Sequence, residues 1–242
     1  MRIWVARPEP GGTRTARRLR ELGHEALLAP VLTIARTDEA PPPGPFAGVV
    51  LTSANGAAAL AALPRTPGMP VFAVGARTAA RASAEGFVDV VAADGDATAL
   101  AGLVRGALPP GSRLLHVAGE DRKAEPASTL AAAGYRIAVW TAYAARSLPA
   151  LPAEIADALT GGGGLGGDAE PLRAALHYSR RSAATALALA TAAGREGAFR
   201  VLAHYCLSAD VAVPLVEAGV AAHFVPTRPN EEALLAGLAG PS

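Results

Sequence analysis

Hydroxyl, amide and guanidinium side chains gather in six short turns of this chain, and each turn follows an apolar run. The turns read "ARPEP" with Arg7, "TSANG" with Thr52, Ser53 and Asn55, and "GART" with Gly75, Arg77 and Thr78. The others are "AGEDRK" with Gly119 and Arg122, "YSRRS" with Ser179, Arg180, Arg181 and Ser182, and "LSAD" with Ser208. Placed where a strand gives way to a helix, such residues surround free backbone amides and the positive end of a helix dipole. That combination suits a carboxylate or a phosphate. Arg7, Arg77, Arg122, Arg180 and Arg181 in the same turns point to an anionic ligand. For any single serine or threonine, capping of a helix N-terminus is an equally good account.

Conventional catalytic chemistry has little support. The five histidines show no HxxxH or HExxH spacing, and Cys206 is the single cysteine, so no metal site is expected. His177 and His204 fall in strand-like runs and read as core imidazoles, and Cys206 in "VLAHYCLS" reads as a small buried hydrophobe. No G-x-S-x-G elbow, phosphate-binding Walker loop or paired-carboxylate motif is present. Residues 160–168, "TGGGGLGGD", contain a formal GxGxxG, but a helical "PAEIADAL" precedes it and a strand follows. That order is the reverse of a dinucleotide fingerprint, and the stretch reads as a loop.

Short strands alternating with helices must position these turns, which predicts α/β architecture with parallel sheets. The alternation is written twice. Residues 1–34 run strand "RIWVAR", helix "TRTARRLRELG" and strand "EALLAPVLTI"; residues 111–145 repeat this as "SRLLHVAG", "EPASTLAAAG" and "YRIAVWTAYA". Aligning Gly23 with Gly134 brings Ile3 onto Leu114. A longer unit over 45–106 is echoed over 172–239, with Ser53 on Ser179 and Gly86 on Gly219. The tight "LPPGS" joins the second unit to the third, whereas Pro-rich "ARTDEAPPPGP" and "ARSLPALPAE" read as straps. The expected organisation is therefore a central domain, 39–140, inserted into a discontinuous domain of 1–34 plus 149–242. Extended linkers are expected at 35–38 and 141–148.

The totals agree with that plan. A chain of 242 residues can bury two small cores, and 51% hydrophobic with 5% aromatic residues favours Ala, Leu and Val packing. A net charge of +1 lacks the footprint of a nucleic-acid binder. Neither a signal peptide nor an 18-residue apolar span is present, so a cytoplasmic protein off the membrane is expected.

With "TSANG", "AVGARTAA", "ALHYSRRSA", "CLSAD" and "RPNEEALLAGL" in this order, the chain resembles the uroporphyrinogen-III synthase family along nearly its whole length. The resemblance implies two similar α/β domains joined by two linkers, and a cyclising lyase that needs no cofactor. Its substrate would be hydroxymethylbilane, which loses water and closes with its terminal ring inverted through a spiro intermediate. A monomer is expected. The resemblance assigns the catalytic role to Tyr143, expected in the second linker, and places Ser53, Thr78 and Ser179 at substrate-binding positions. Arg7, Thr52, Asn55, Gly75, Gly119, Arg180 and Ser208 join them from the strand-end turns. The partner of Thr78 in the second half is Val211, which lacks the hydroxyl, and Ala118 stands where relatives often carry arginine, leaving Arg122 as a substitute. The rival readings are a non-catalytic binding module for anionic tetrapyrroles and a sugar- or nucleotide-dependent transferase, the latter without an acidic ribose ligand or Asp-x-Asp motif.

Overall fold

The computed structural model describes residues 1–64, 66–94, 96–160 and 170–239. The glycine-rich stretch 160–168 lies outside them apart from Thr160. The chain opens with β1 (Arg2–Val5), α1 (Gly11–Glu21), β2 (Glu25–Leu28) and β3 (Leu32–Arg36). Next come β4 (Gly48–Leu51), α2 (Ala54–Ala57), β5 (Val71–Ala73), α3 (Ala76–Ala84) and β6 (Val90–Ala92). Then follow α4 (Ala97–Ala107), β7 (Arg113–Gly119), α5 (Ala127–Ala132) and β8 (Arg136–Ser147). The final part holds α6 (Ala153–Ala158), β9 (Leu172–His177), α7 (Arg180–Ala192) and α8 (Glu196–Arg200). It ends with β10 (Ala203–Cys206), α9 (Ala209–Glu217), β11 (Ala222–Phe224) and α10 (Glu231–Ala236).

These elements form two compact units. Unit 1 comprises Met1–Thr33 and Arg146–Ser242, and unit 2 comprises Ile34–Ala145. Unit 1 carries a sheet in the order β11-β10-β9-β1-β2, with every pairing parallel. The second sheet runs β3-β8-β7-β4-β5-β6, with β4 through β8 parallel.

Continuous apolar runs make the central strands. Ile3, Trp4 and Val5 of β1 and Val49, Val50 and Leu51 of β4 are fully buried, as in a parallel sheet covered by helices on both faces. Alternation then sends Val49, Leu51, Leu115 and Val117 into one layer of unit 2. Val50 and Leu114 enter the other, against Leu100 of α4 and Leu130 of α5. In unit 1, Ile3, Val5 and Leu176 pack with Leu19 of α1 and with Leu234 and Leu235 of α10. Gly23 and Gly134, at the matching ends of α1 and α5, hold φ of 77° and 88°, the left-handed turn that ends a helix before a strand.

The structure departs from the sequence expectation in two places. The run "EALLAPVLTI" is not one strand. It breaks at Ala29–Pro30 into β2 and β3, which join different sheets, because Pro30 has no N–H to give a ladder. The stretches expected as linkers are largely paired strand: β3 extends to Arg36 and β8 to Ser147. Thr37 N–H donates to the Ala142 carbonyl at 3.2 Å and Leu148 N–H to that of Val31 at 3.0 Å, so β3 lies antiparallel to β8. Period-two burial of Trp140, Ala142 and Ala144 carries the strand past residue 140.

One buried polar chain crosses the core of unit 1. His204 Nε2–H donates to the Phe199 carbonyl at 2.9 Å, which leaves its Nδ1 to accept Nε2–H from His177 at 3.0 Å. Both rings are fully buried and neutral. Desolvation, with the His204 charge second, pushes His177 down to about 3. Desolvation, partly offset by the Phe199 carbonyl, holds His204 at about 4. The unfolded chain takes up protons near pH 6.5 that the folded rings refuse, so stability is full above that pH and falls as pH drops toward 4. Urea unfolding followed across this window reads the slope. His177→Gln, which keeps an N–H for His204, should shallow it by about one proton, or about 1.4 kcal/mol per pH unit. An unchanged slope would remove His177 from the acid response.

Candidate functional site

Parallel strands deliver their carboxyl ends to one edge of the sheet, and in unit 2 that edge surrounds a hollow of about 580 Å³. The turn after β4 contributes Thr52, Ser53 and Asn55, the end of β5 contributes Val74, and the start of α4 contributes Asp96 and Ala97. The turn after β7 brings Gly119, Asp121, Arg122, Lys123 and Glu125, and β8 brings Tyr143.

Local hydrogen bonding sets what these groups can offer. Ser53 is the N-cap of α2, its backbone extended and its Oγ accepting from Asn55 N–H at 3.2 Å. A capping serine uses a lone pair and keeps its O–H proton for another acceptor. Two of the wall carboxylates are turned toward helix ends. Asp96 accepts from Ala99 N–H at 2.7 Å. Glu125 takes the Ser128 hydroxyl and Thr129 N–H, and those bonds hold its carboxyl below the usual range. Arg122 Nη1 donates to the Gly119 carbonyl at 3.2 Å and to Thr141 Oγ1 at 3.4 Å, which fixes a guanidinium in the wall. Lys123, beside it, meets no acceptor among the described residues.

Tyr143 is held by backbone that lacks side chains. The β7–β8 register shifts between Ala118 and Gly119, so Gly119 stands directly opposite Tyr143. A Cβ on Gly119 would lie 2.8 Å from Tyr143 Cε2 and 3.0 Å from Cζ. On the other edge, a Cβ on Gly56 would lie 3.5 Å from Cε1. The ring therefore rests between two glycines, half-buried, and its hydroxyl meets no hydrogen-bond partner among the described residues. Below this floor, His116 is 2% exposed with both ring nitrogens unpartnered. Desolvation, with the nearby Arg122 charge, pushes its imidazole down to about 4, so it is neutral.

The sequence-nominated residues divide clearly. Thr52, Ser53, Asn55, Gly119 and Tyr143 line one hollow. Gly75 is the N-cap of α3, and Thr78 in its first turn is 4% exposed; neither lines that hollow. In unit 1, Ser179 caps α7 by accepting from Ser182 N–H at 3.1 Å, and Ser208 caps α9 by accepting from Val211 N–H at 3.4 Å. Arg180 pairs with Asp210 at 3.4 Å on the surface. Val211 is 5% exposed, as buried as its counterpart Thr78, so valine sits there without loss of a surface hydroxyl. Arg7 is engaged by Glu231 at 3.0 Å and stacks on Tyr178 at 4.2 Å.

Sequence reasoning missed Lys123, Asp96 and, around Glu231, every member of the set but Arg7. Lys123 stood in a quoted turn, and Arg14 and Arg18 share a helix face at i, i+4, but nothing local tied that face to Glu231.

Fold and hollow together define a two-unit parallel α/β protein with its site at strand carboxyl ends. A family model described as "Uroporphyrinogen-III synthase HemD" matches residues 13–236. The chain belongs to the uroporphyrinogen-III synthase family, whose members are cyclising lyases of tetrapyrrole biosynthesis, and it has that function. Its structure is similar to a uroporphyrinogen-III synthetase from Helicobacter pylori at 16% identity, covering 99% of this chain and 98% of that one, with a TM-score of 0.59. A mutant uroporphyrinogen III synthase from Thermus thermophilus aligns at 16% identity over 99% and 97% of the two chains, with a TM-score of 0.49. No curated protein matches the sequence. Among the described residues no helix is long and apolar enough to cross a membrane, and no group of His, Cys, Asp and Glu is placed to hold a metal ion.

Gly119→Ala tests the seating of the tyrosine. The added methyl must push the Tyr143 ring aside while leaving the β7–β8 pairing intact. Circular dichroism should be unchanged, and turnover should fall by about 10²-fold, the usual effect of a 1 Å misplacement. Wild-type turnover would mean that the ring's position is immaterial.

Proposed function

We propose that this chain acts as a monomer, in the cytoplasm and without a cofactor, and that Tyr143 is its catalytic residue. The supporting observation is the Tyr143 hydroxyl, unpartnered among the described residues, in the wall of a hollow that also carries Ser53, Arg122 and Lys123. Substrate carboxylates are gripped by the two cations and by hydroxyl and amide donors at the strand ends. The Tyr143 phenol donates its proton to the hydroxyl of the terminal hydroxymethyl group as the C–O bond breaks, so water leaves, and the phenolate takes back the proton lost when the macrocycle is complete. The cationic methylene left behind is attacked by the substituted carbon of the terminal ring, forming the spiro intermediate. The bond from that carbon to its original bridge then breaks and re-forms at the other α-position, which inverts the ring, and loss of a proton completes the macrocycle.

The unaided substrate closes to the symmetric type I isomer, so what the protein supplies is orientation and stabilisation of developing cationic charge. Supplied with fresh hydroxymethylbilane, the protein should yield an excess of the type III macrocycle that survives a chelator, read by chromatography of the oxidised products. Type I alone, at the rate of a protein-free control, would overturn the enzyme reading, and tight macrocycle binding in that sample would favour the non-catalytic binding module. Tyr143→Phe keeps the ring and removes the donor. Type III formation should drop by about 10²–10⁴-fold with an unchanged melting temperature. A variant with wild-type turnover would take Tyr143 out of the mechanism.

A further inference from the structure

The repeat makes the two units comparable position by position, and their strand ends are not used alike. Aligning Ile3 with Leu114 puts Arg7 on Ala118, and aligning Ser53 with Ser179 puts Tyr178 on Thr52. In unit 2 these positions hold Ala118, which is fully buried, and Thr52, which lines the open hollow. In unit 1 they hold two large polar side chains. Arg7 lies over the Tyr178 ring at 4.2 Å, in space that exists because Gly11 has no side chain.

Glu231, the first residue of α10, closes the cluster. Its Oε1 accepts from Arg7 at 3.0 Å, from Tyr178 Oη at 3.0 Å and from Thr15 Oγ1 at 2.5 Å. Its Oε2 takes Arg14 Nε at 3.3 Å and Arg18 Nη1 at 3.1 Å. Arg14 and Arg18 thus share one oxygen, and neither meets another acceptor among the described residues. One carboxylate answering converging guanidiniums, a hydroxyl and a phenol is what a built carboxylate site looks like when occupied. Burial alone would raise the Glu231 carboxyl, but Thr15 and Tyr178 hydrogen bonds and the Arg14 and Arg7 charges outweigh it and hold the group ionised. Glu231 is 13% exposed, whereas Arg14 and Arg18 are 33% and 35% exposed, so the cationic side can be reached from solvent.

We propose that Arg7, Arg14 and Arg18, with Thr15 and Tyr178, form an alkyl-carboxylate site that the chain's own Glu231 fills, and that a substrate carboxylate replaces Glu231 there. The identity of that carboxylate rests on the function proposed above; the site itself does not.

Glu231→Ala removes the internal occupant, and propionate is the probe. Propionate, compared with chloride at equal ionic strength, should raise the variant's melting temperature saturably and leave the wild type unmoved. Adding Arg14→Ala and Arg18→Ala should abolish the response. Absence of a propionate response in Glu231→Ala would overturn the site and leave the cluster as a structural clamp. Glu231→Gln, which keeps the shape and removes the charge, covers the case in which the alanine variant does not fold. It should bind uroporphyrin III, an octacarboxylate, about ten-fold more tightly than wild type, one charge-assisted contact's worth. Equal affinity for uroporphyrin III would overturn the substrate's claim on the site. A propionate response in a protein that makes no type III product would uphold the site and sink the functional reading instead.

Discussion

The parallel pairing of β4, β7 and β8 is the constraint on which the site depends. It gathers Ser53, Gly119 and Tyr143, which are far apart in sequence, at one edge of the sheet. The register shift between Ala118 and Gly119 then sets a residue without a side chain opposite the tyrosine. Either neighbour of Gly119 in that place would drive a Cβ or more into the ring. The position of the phenol is thus set by backbone and sheet register, which do not reorganise when charge develops nearby.

Capping and recognition are not competing uses of the strand-end hydroxyls. Ser53, Ser179 and Ser208 each accept from the backbone of the following helix, and each retains a proton. Caps also orient the charges of the hollow. Asp96, Asp121 and Glu125 line it together with Arg122 and Lys123, and Asp96 and Glu125 point to the amides that start α4 and α5.

Whatever depended on neighbouring residues was legible in the sequence. Apolar runs marked β1, β4 and β7, and Gly23 and Gly134 marked the helix ends that precede strands. The doubling of the pattern, with Ser53 on Ser179, showed two parallel-sheet parcels. Three things were not legible. Pro30 stands inside an apolar run whose halves differ only in which sheet claims them, and composition carries no sheet identity. The apolar alternation of β8 ran into a stretch whose prolines read as strap, so Tyr143 was expected in a linker and is found in a paired strand. The Arg7–Glu231 contact spans 224 positions, a separation at which only the folded topology can say that two charges meet.

The near-neutral charge of the chain bears on how it must recognise a polyanion. At a net charge of +1, the field of the whole molecule does little to steer or hold an anionic substrate. Attraction has to be local, from cations placed against the ligand within a Debye length of its carboxylates. The fold supplies such places at homologous strand ends in both units. In unit 2 Thr52 lines an open hollow with Arg122 and Lys123 in its wall. In unit 1 Arg7 and Tyr178 take the matching positions, and the guanidiniums would repel one another without a carboxylate between them. Glu231 meets that need, which explains why the last helix is anchored by a charge rather than by its apolar face alone: Leu234 and Leu235 fix where α10 lies, and Glu231 makes its lie compatible with three arginines.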